Sequence, residues 1–197
     1  KISNEAIEEL LKSSTSFKAW YFRTQKHDFY ALTTDSVTVV YDLNSGSWYR
    51  WSTYLKDKWD VVSGFQVNDV TYCITDIHPK LYKLVSGLSA TDFFTCEVGA
   101  FIPNPIKTPT PCNHITLFVN YGFSNSYEYS PLIELRWSDD GGHTWSDYMQ
   151  YEVGLQGRYS ENVSFRSLGA IRQPGRYIEI RFSEAQSFRL DGAIFND

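Results

Sequence analysis

Apolar and polar residues alternate strictly in several short runs in the second half of the chain. The apolar positions of three such runs are Ile115, Leu117 and Val119; Ile133, Leu135 and Trp137; and Ile178, Ile180 and Phe182. Because successive side chains of a strand point to opposite faces of its sheet, each run predicts a strand with one buried face. Turn residues separate the runs, and no helical pattern interrupts them. We therefore predict an antiparallel β-sandwich over residues 113–197.

The first half of the chain contains an internal repeat. Tyr30-Ala31-Leu32-Thr33 has a counterpart in Tyr72-Cys73-Ile74-Thr75, 42 positions later (residue 30 to residue 72). Val40-Tyr41-Asp42-Leu43 has one in Leu81-Tyr82-Lys83-Leu84, 41 positions later (residue 41 to residue 82). A four-stranded propeller blade spans about 40–45 residues, so this period predicts two propeller-like blades within residues 1–91. Chance similarity between the two segments is the alternative.

A short helix is predicted before the repeat. Asn4 is a suitable N-cap residue, and Ile7, Leu10 and Leu11 form one apolar face. Repeat units bury their faces only against neighbouring units, so two blades alone are too few for a stable array. The repeat therefore predicts further blades N-terminal to residue 1.

Prolines mark the segment between the two halves. Pro103, Pro105, Pro109 and Pro111 lie close together within residues 92–112. Since proline lacks the backbone N–H that a helix needs, this density excludes a helix and is typical of a crossing segment or linker. The predicted fold is therefore all-β: propeller-type blades, a proline-rich crossing segment, and an antiparallel sandwich.

Composition and charge argue against several classes of function. The 197 residues carry a net charge of −5, and Lys and Arg do not cluster, so sequence-specific nucleic-acid binding is not expected. No apolar run is long enough to cross a bilayer, so no membrane association is expected. Cys73, Cys96 and Cys112 form no C-x-x-C pair, and their odd number argues against a disulfide framework. Reduced thiols and synthesis in the cytoplasm are expected.

The octapeptide from Ser138 to Trp145 fits the pattern Ser-x-Asp-x-Gly-x-Thr-Trp. This pattern resembles the Asp-box, a β-hairpin found in sialidases and in many β-rich proteins that are not enzymes. In such a turn Asp140 accepts hydrogen bonds from nearby backbone N–H groups, and Gly141 and Gly142 supply positive φ angles. We interpret the pattern as a structural hairpin whose defining residues are Ser138, Asp140, Gly142, Thr144 and Trp145.

No catalytic or metal-binding motif is present. A glycosidase needs two carboxylates that face each other across a cleft, whereas Asp139 and Asp140 are adjacent in a turn and their side chains diverge. The four histidines show no metal-ligand spacing, and no phosphate-binding glycine motif occurs. We therefore predict a protein that is not an enzyme and that needs no cofactor or metal. The C-terminal arginines are interpreted as solvated strand faces: Arg166, Arg172, Arg176 and Arg181.

A polar loop over residues 120–130 is unusually rich in aromatic rings. Tyr121, Phe123, Tyr127 and Tyr129 lie within it. Tyr residues concentrate binding energy at interfaces, so this loop is a possible contact with a partner or a sugar. The alternative is a loop that packs onto its own domain.

Three stretches resemble the packaged-DNA stabilisation proteins, or tail-hub proteins, of short-tailed phages. The first consists of residues 4–9, followed later in the chain by His27-Asp28-Phe29-Tyr30-Ala31-Leu32-Thr33. The second is the segment 39–48, which contains Tyr41-Asp42-Leu43 and ends in Trp48. The third runs from Trp137 to Trp145 and continues through residues 154–159 and 167–169. The order of these motifs is more specific than any one of them.

This resemblance implies a structural role in the virion. Proteins of that family form a ring below the portal, seal the filled capsid, and hold the tail needle and tailspikes. By this resemblance the chain is the C-terminal part of a tail hub, in a ring-forming homo-oligomer that contacts other tail and portal proteins. Its expected location is the virion tail, and the host cytoplasm during assembly. The alternative is a carbohydrate-binding β-module, and a sialidase-like hydrolase is a third hypothesis, for which we expect no activity.

Overall fold

The structure is a computed structural model that describes residues 2–24, 26–53, 55–78, 80–84, 95–121, 131–153, 160–184 and 188–195. The chain divides into two compact units, Lys1–Gly87 and Leu88–Asp197. Antiparallel sheets contain most of the regular structure in the described part of each unit. The prediction of a chain built mostly of β-structure is therefore confirmed, and the described residues contain one short helix, as the sequence indicates.

The described part of the first unit contains the helix and two antiparallel sheets. Its elements are α1 (Glu5–Ser13), β1 (Lys18–Thr24), β2 (His27–Thr33), β3 (Thr38–Asp42), β4 (Ser47–Trp51), β5 (Val61–Val67), β6 (Val70–Thr75) and β7 (Leu81–Lys83). Sheet A has the order β1-β2-β3-β4, and sheet B has the order β5-β6-β7. In both sheets, strands adjacent in sequence are adjacent in space.

Helix α1 covers one face of sheet A. Asn4 caps it as predicted, because its side-chain oxygen accepts a hydrogen bond from the Ile7 backbone N–H at 2.9 Å. Ile7 is buried against Leu32 and Val39, and Leu10 and Leu11 pack beside it. The apolar face that the sequence predicts for the helix is therefore the face that contacts the sheet.

Sheet B covers the opposite face of sheet A. Trp20, Phe22 and Val40 of sheet A pack with Val61 and Cys73 of sheet B in one buried cluster. The two sheets approach each other closely at Gly64, where an added Cβ would lie 2.6 Å from Trp20 Cζ3 of sheet A and 2.4 Å from the Tyr72 carbonyl oxygen. A glycine is needed at this position because the indole ring occupies the space of a side chain.

The internal repeat corresponds to equivalent strands of the two sheets. Its first segment lies in β2 and β6, and its second lies in β3 and around β7. The repeated positions Ala31 and Cys73 are both buried in the cluster between the sheets. The two copies therefore pack face to face, with equivalent positions directed toward each other.

The second unit contains the sandwich. Its described strands are β8 (Cys96–Pro103), β9 (Thr110–Pro111), β10 (His114–Tyr121), β11 (Leu132–Ser138), β12 (Met149–Glu152), β13 (Ser160–Arg166), β14 (Ala170–Ile171), β15 (Gly175–Phe182) and β16 (Phe188–Phe195). Sheet C has the order β12-β11-β15-β8, and sheet D has the order β13-β10-β16. Strands β9 and β14 form a separate small pair.

The core of the second unit lies between sheets C and D. The alternating runs of the sequence supply it: Ile115, Leu117 and Val119 from β10, Ile133 and Leu135 from β11, and Ile178 and Ile180 from β15. Their neighbours in sequence point outward, as the period of two requires. The strands that these alternating runs predict are therefore confirmed, and their arrangement is sandwich-like.

Part of the predicted crossing segment is a strand. Residues 96–103 form β8, which pairs with all eight residues of β15 as the last strand of sheet C among the described residues. The prolines explain why regular pairing ends there: Pro103 closes β8, and Pro105 and Pro109 follow it. The predicted boundaries at residues 91 and 112 remain predictions, whereas the compact units meet at residues 87 and 88.

Gly64→Ala is expected to destabilise the first unit by roughly 1–3 kcal/mol, the usual cost of overpacking a core. The added methyl group has no space between Trp20 and the Tyr72 carbonyl. Thermal unfolding followed by circular dichroism measures the effect. The matched control is Gly99→Ala, since a Cβ at Gly99 in β8 meets no atom closer than 3.9 Å. An unchanged melting temperature for Gly64→Ala would contradict the close approach of the two sheets.

Candidate functional site

The hairpin between β11 and β12 is built around the Asp140 carboxylate. Its Oδ1 accepts hydrogen bonds from the Ser138 hydroxyl at 2.7 Å and the Thr144 backbone N–H at 2.8 Å, and its Oδ2 accepts one from the Thr144 hydroxyl at 2.6 Å. Gly141 and Gly142 have φ angles of +77° and +93°, as predicted. The Trp145 indole N–H donates to the Gly142 carbonyl at 3.1 Å. The loop is thus closed by its own side chains.

The same hydrogen bonds determine the chemistry of Asp140. The Thr144 hydroxyl, then the Thr144 backbone N–H and the Ser138 hydroxyl, hold the pKa of Asp140 far below its usual range. A carboxyl group that stays ionised at all physiological pH values cannot act as a general acid. Asp140 therefore organises the turn, as the sequence indicates.

Asp139 points away from Asp140 and binds Arg176 of β15. Arg176 Nε donates to Asp139 Oδ1 at 2.6 Å, and one terminal nitrogen donates to Oδ2 at 2.7 Å. The guanidinium also donates to the carbonyls of Leu168 and Ala170 and lies over the Trp137 ring. Arg176 is only 2% exposed.

The interpretation of the C-terminal arginines was therefore partly wrong. Arg166 and Arg172 are exposed, as expected. Arg176 is buried because a carboxylate and two backbone carbonyls replace its hydration. Arg181 is half-buried because it is paired with a carboxylate of the neighbouring strand. Neither partner is close in sequence, so residue type alone could not indicate the pairing.

The outward face of sheet C, which we call the outer face, carries a row of polar side chains that crosses all four strands. Gln150 on β12, Glu134 on β11, Arg181 on β15 and Glu97 on β8 lie opposite one another in that order. Glu134 accepts hydrogen bonds from Gln150 Nε2 at 2.8 Å and from Arg181 Nε at 2.6 Å. Donors and acceptors thus alternate across the outer face.

An aromatic and guanidinium stack runs beside this row. The Arg136 guanidinium carbon lies 4.7 Å from the Trp145 ring centroid and 4.6 Å from that of Tyr148. The Arg181 guanidinium carbon lies 3.8 Å from the same Tyr148 ring. Glu179 Oε1 accepts hydrogen bonds from Arg136 Nε and from the Tyr148 hydroxyl, both at 2.6 Å. Cation–π contacts and charge-assisted hydrogen bonds therefore hold these side chains in fixed positions.

The protonation states on the outer face follow from this network. Burial raises the pKa of Glu179, but the hydrogen bonds from Arg136 and Tyr148 outweigh burial and bring it below its usual value. The pKa of Glu134 is lowered in the same way by Arg181 and Gln150, against the effect of burial. Burial and the hydrogen bond to Glu179 raise the pKa of Tyr148 to about 12. Both carboxylates are therefore ionised at neutral pH, which suits binding and excludes these two groups as general acids.

The outer face has a gap above Gly99 in the middle of β8. The residues of β8 on either side of Gly99 on this face are Glu97 and Phe101, and Glu179 of β15 lies directly opposite Gly99. The rings of Phe101 and Tyr177 contact each other with centroids 4.7 Å apart, and they are 43% and 42% exposed. We call this gap, bounded by Glu97, Phe101, Tyr177, Glu179 and Arg181, the Gly99 notch.

A second glycine positions the Phe101 ring. An added Cβ at Gly175 of β15 would lie 2.6 Å from Phe101 Cζ and 2.4 Å from the Ile102 carbonyl oxygen, and the φ angle of Gly175 is +148°. Phe101 therefore lies across the backbone of β15 in a space that only glycine leaves open. This contact directs the ring toward Tyr177.

The predicted aromatic loop lies mostly outside the described residues. Phe123, Tyr127 and Tyr129 belong to the undescribed segment 122–130, and Tyr121 ends β10, where its backbone pairs with Phe188. Of the side chains on the outer face, the sequence singled out only Arg181, as a solvated strand residue, and Trp145, as part of the hairpin. The alternating pattern of β11 and β15 could have marked Glu134, Arg136 and Glu179 as outward residues.

The described residues also bear on metal binding, thiol chemistry and membrane association. No group of three His, Cys, Asp or Glu side chains there could hold a metal ion. The thiols are free: Cys73 and Cys112 are buried and Cys96 is exposed. No helix in the described part of the chain is long and apolar enough to cross a membrane.

No protein-family model and no curated protein matches the chain. Among solved structures, the chain is similar to one from a study of the promiscuous specificity of carbohydrate-binding modules of the β-sandwich superfamily. The two are 10% identical, the match covers 94% of this chain and 100% of that chain, and the TM-score is 0.29. A similarity at this level carries no argument about function.

Asp140→Ala is expected to lower the melting temperature of the second unit by roughly 4–8 °C, because the turn loses the acceptor of three hydrogen bonds. The difference in melting temperature between Asp140→Ala and the unchanged chain should depend on pH. Since folding lowers the pKa of Asp140, its stabilising effect is complete above the unfolded pKa of about 4 and is lost as the pH falls toward the folded value. Thermal melts between pH 2 and pH 7 measure both effects. Lost partner or ligand binding at unchanged stability would instead make the hairpin a binding site.

Asp139→Ala is expected to destabilise the second unit by about 2 kcal/mol, the value of a charge-assisted hydrogen-bonded contact. The substitution leaves the buried Arg176 guanidinium with two carbonyl partners and no carboxylate. Urea unfolding measures the change. Asp147→Ala removes an exposed carboxylate a few residues away and is the matched control. Equal stability of the two variants would contradict the structural role of the Asp139–Arg176 pair.

Proposed function

We propose that the chain is a structural component of a short-tailed phage tail, part of the hub below the portal that seals packaged DNA and holds other tail parts. The order of the three motifs that resemble tail-hub proteins is the observation that carries this proposal. Its partners are other copies of the chain in a ring and neighbouring tail and portal proteins. The proposed location is the virion tail, reached from the host cytoplasm during assembly, and the proposed role is assembly without catalysis.

An exposed apolar surface in the first unit supports a role in assembly. Phe65 and Val67 of β5, Ile74 of β6 and Leu81 of β7 lie on the face of sheet B that is directed away from sheet A. Phe65 is 50% exposed and Leu81 is 55% exposed. Monomeric proteins rarely leave a contiguous apolar patch in water, and such patches mark interaction surfaces.

Two finer structural features belong to the same proposal. The strand order β1-β2-β3-β4 is that of a propeller blade, and we propose that sheets A and B are blade-type units. Neighbouring blades of a propeller are related by rotation, whereas Ala31 and Cys73 face each other. The blade assignment therefore concerns each sheet separately. We also propose that residues 138–145 form an Asp-box hairpin with a structural role.

Leu81→Asp is expected to reduce incorporation of the chain into tail particles about tenfold, because a charge at an apolar interface costs at least ~1.4 kcal/mol. The measurement is quantitative mass spectrometry of tail particles from cells in which the variant is the only copy. Leu55→Asp is the matched control, since Leu55 is 87% exposed and lies outside sheet B. Normal incorporation of Leu81→Asp would contradict the role of this face. An encoding gene outside any phage or prophage would contradict the proposed function itself.

A second candidate function is glycan binding, which one specific observation favours. The exposed ring pair Phe101–Tyr177 lies beside fixed donors and acceptors on the outer face. Ligand sites commonly combine aromatic side chains with a few positioned polar groups. The second candidate is therefore a carbohydrate-binding β-module, in a virion or elsewhere.

A further inference from the structure

We propose that the Gly99 notch binds one neutral pyranose ring of a glycan, with the apolar face of the sugar against Phe101 and Tyr177 and its hydroxyls toward Glu97, Glu179 and Arg181. This inference rests on the second candidate function and specifies its site and ligand class. It assigns the contact to residues of sheet C, which are different residues from those of the predicted aromatic loop.

The backbone of β8 leaves space for a ring. Residues four apart on a strand lie about 13 Å from each other, so Glu97 and Phe101 stand on either side of an open stretch of sheet. Gly99 at its centre has no side chain, and a Cβ built there meets no atom closer than 3.9 Å. Glycine inside a strand costs stability and marks places where another group approaches the backbone. No close packing requires it at position 99, in contrast to Gly64 and Gly175.

The aromatic side of the notch is held in a fixed position. Phe101 is fixed by its contact with the backbone of Gly175, and Tyr177 contacts Phe101 from the adjacent strand. Two exposed rings on a rigid sheet lose little conformational freedom when a ligand covers them. They supply apolar surface for the C–H groups of a sugar ring.

The polar side of the notch offers both donors and acceptors. The Glu97 and Glu179 carboxylates accept hydrogen bonds, and the Arg181 guanidinium donates them. Sugar hydroxyls donate and accept, so they match such a mixed set. Two of these groups are held in place before a ligand arrives. Glu179 accepts hydrogen bonds from Arg136 and Tyr148, and Arg181 donates one to Glu134.

The charged side chains of the outer face favour some of the ligands that stack on aromatic rings over others. The outer face carries four carboxylates, Glu97, Glu134, Glu152 and Glu179, and two guanidiniums, Arg136 and Arg181. This balance disfavours sialic acids and nucleic acids, whose negative charges require a basic surface. A proline-rich peptide would use the rings but offers mainly carbonyl acceptors, so it would add few hydrogen-bond donors for the two carboxylates of the notch.

Gly99→Val tests the site because it fills the notch without disturbing the fold. Valine favours strands, so the variant is expected to melt at or above the temperature of the unchanged chain. NMR titration of the labelled full chain uses maltohexaose, cellohexaose, 3′-sialyllactose and decaproline as probes. We expect at least one neutral hexaose to shift the amide signals of Gly99 and Phe101, and Gly99→Val to weaken that binding at least about tenfold.

Two further variants complete the design. Phe101→Ala is expected to weaken binding of the same hexaose, whereas Ala100→Val on the opposite side of β8 should leave it unchanged. Binding of a hexaose that Gly99→Val does not affect would overturn the notch and leave glycan binding standing, with Tyr127 and Tyr129 as the next residues to change. Binding of neither hexaose would overturn the notch, without bearing on tail assembly, and absence of binding to any glycan on an array would retire the second candidate function. Binding of sialyllactose or decaproline alone would overturn the proposed ligand class.

Discussion

The second unit depends on one buried guanidinium. Arg176 reaches from β15 to the hairpin through Asp139, and to the start of β14 through the carbonyls of Leu168 and Ala170. These partners come from two separate parts of the chain, and the Trp137 ring covers the guanidinium. A buried arginine is tolerated only where hydrogen bonds replace its hydration, so its position fixes the positions of all its partners.

This constraint explains how the hairpin becomes rigid. Asp140 closes the turn internally, but an isolated hairpin is marginally stable in water. Asp139 joins the turn to the buried Arg176, and Trp145 joins it to Arg136 on the outer face. The hairpin is therefore held on both sides of sheet C. The hairpin residues therefore hold the turn in place, and the Arg136 side chain that contacts Trp145 also binds Glu179 at the Gly99 notch.

The two units have different kinds of exposed surface. The first presents apolar side chains on sheet B, which suit a protein interface. The second presents exposed rings beside ionised, hydrogen-bonded groups on sheet C, which suit a small polar ligand. The proposed assembly role and the proposed glycan binding therefore concern different surfaces of the chain, and the two proposals can be tested independently.

The sequence by itself determined the local structure. Alternation identified β10, β11 and β15 because burial of one face requires a period of two. Asn4, Gly141 and Gly142 indicated a helix start and a turn because their conformations depend on neighbours within a few residues. The dense prolines limited regular structure after residue 102 but did not reveal β8, whose pairing with β15 joins distant parts of the chain.

Only the tertiary structure decided which outward residues meet. Arg176 and Asp139 are 37 positions apart, and Arg181 and Glu134 are 47 positions apart. Their pairing follows from strand order and register, which a single sequence does not specify. The same register sets Gly99 opposite Glu179 and brings Phe101 to Tyr177. The sheet therefore created the candidate site from residues that are unremarkable one by one, because a site on a sheet depends on contacts across strands and not along them.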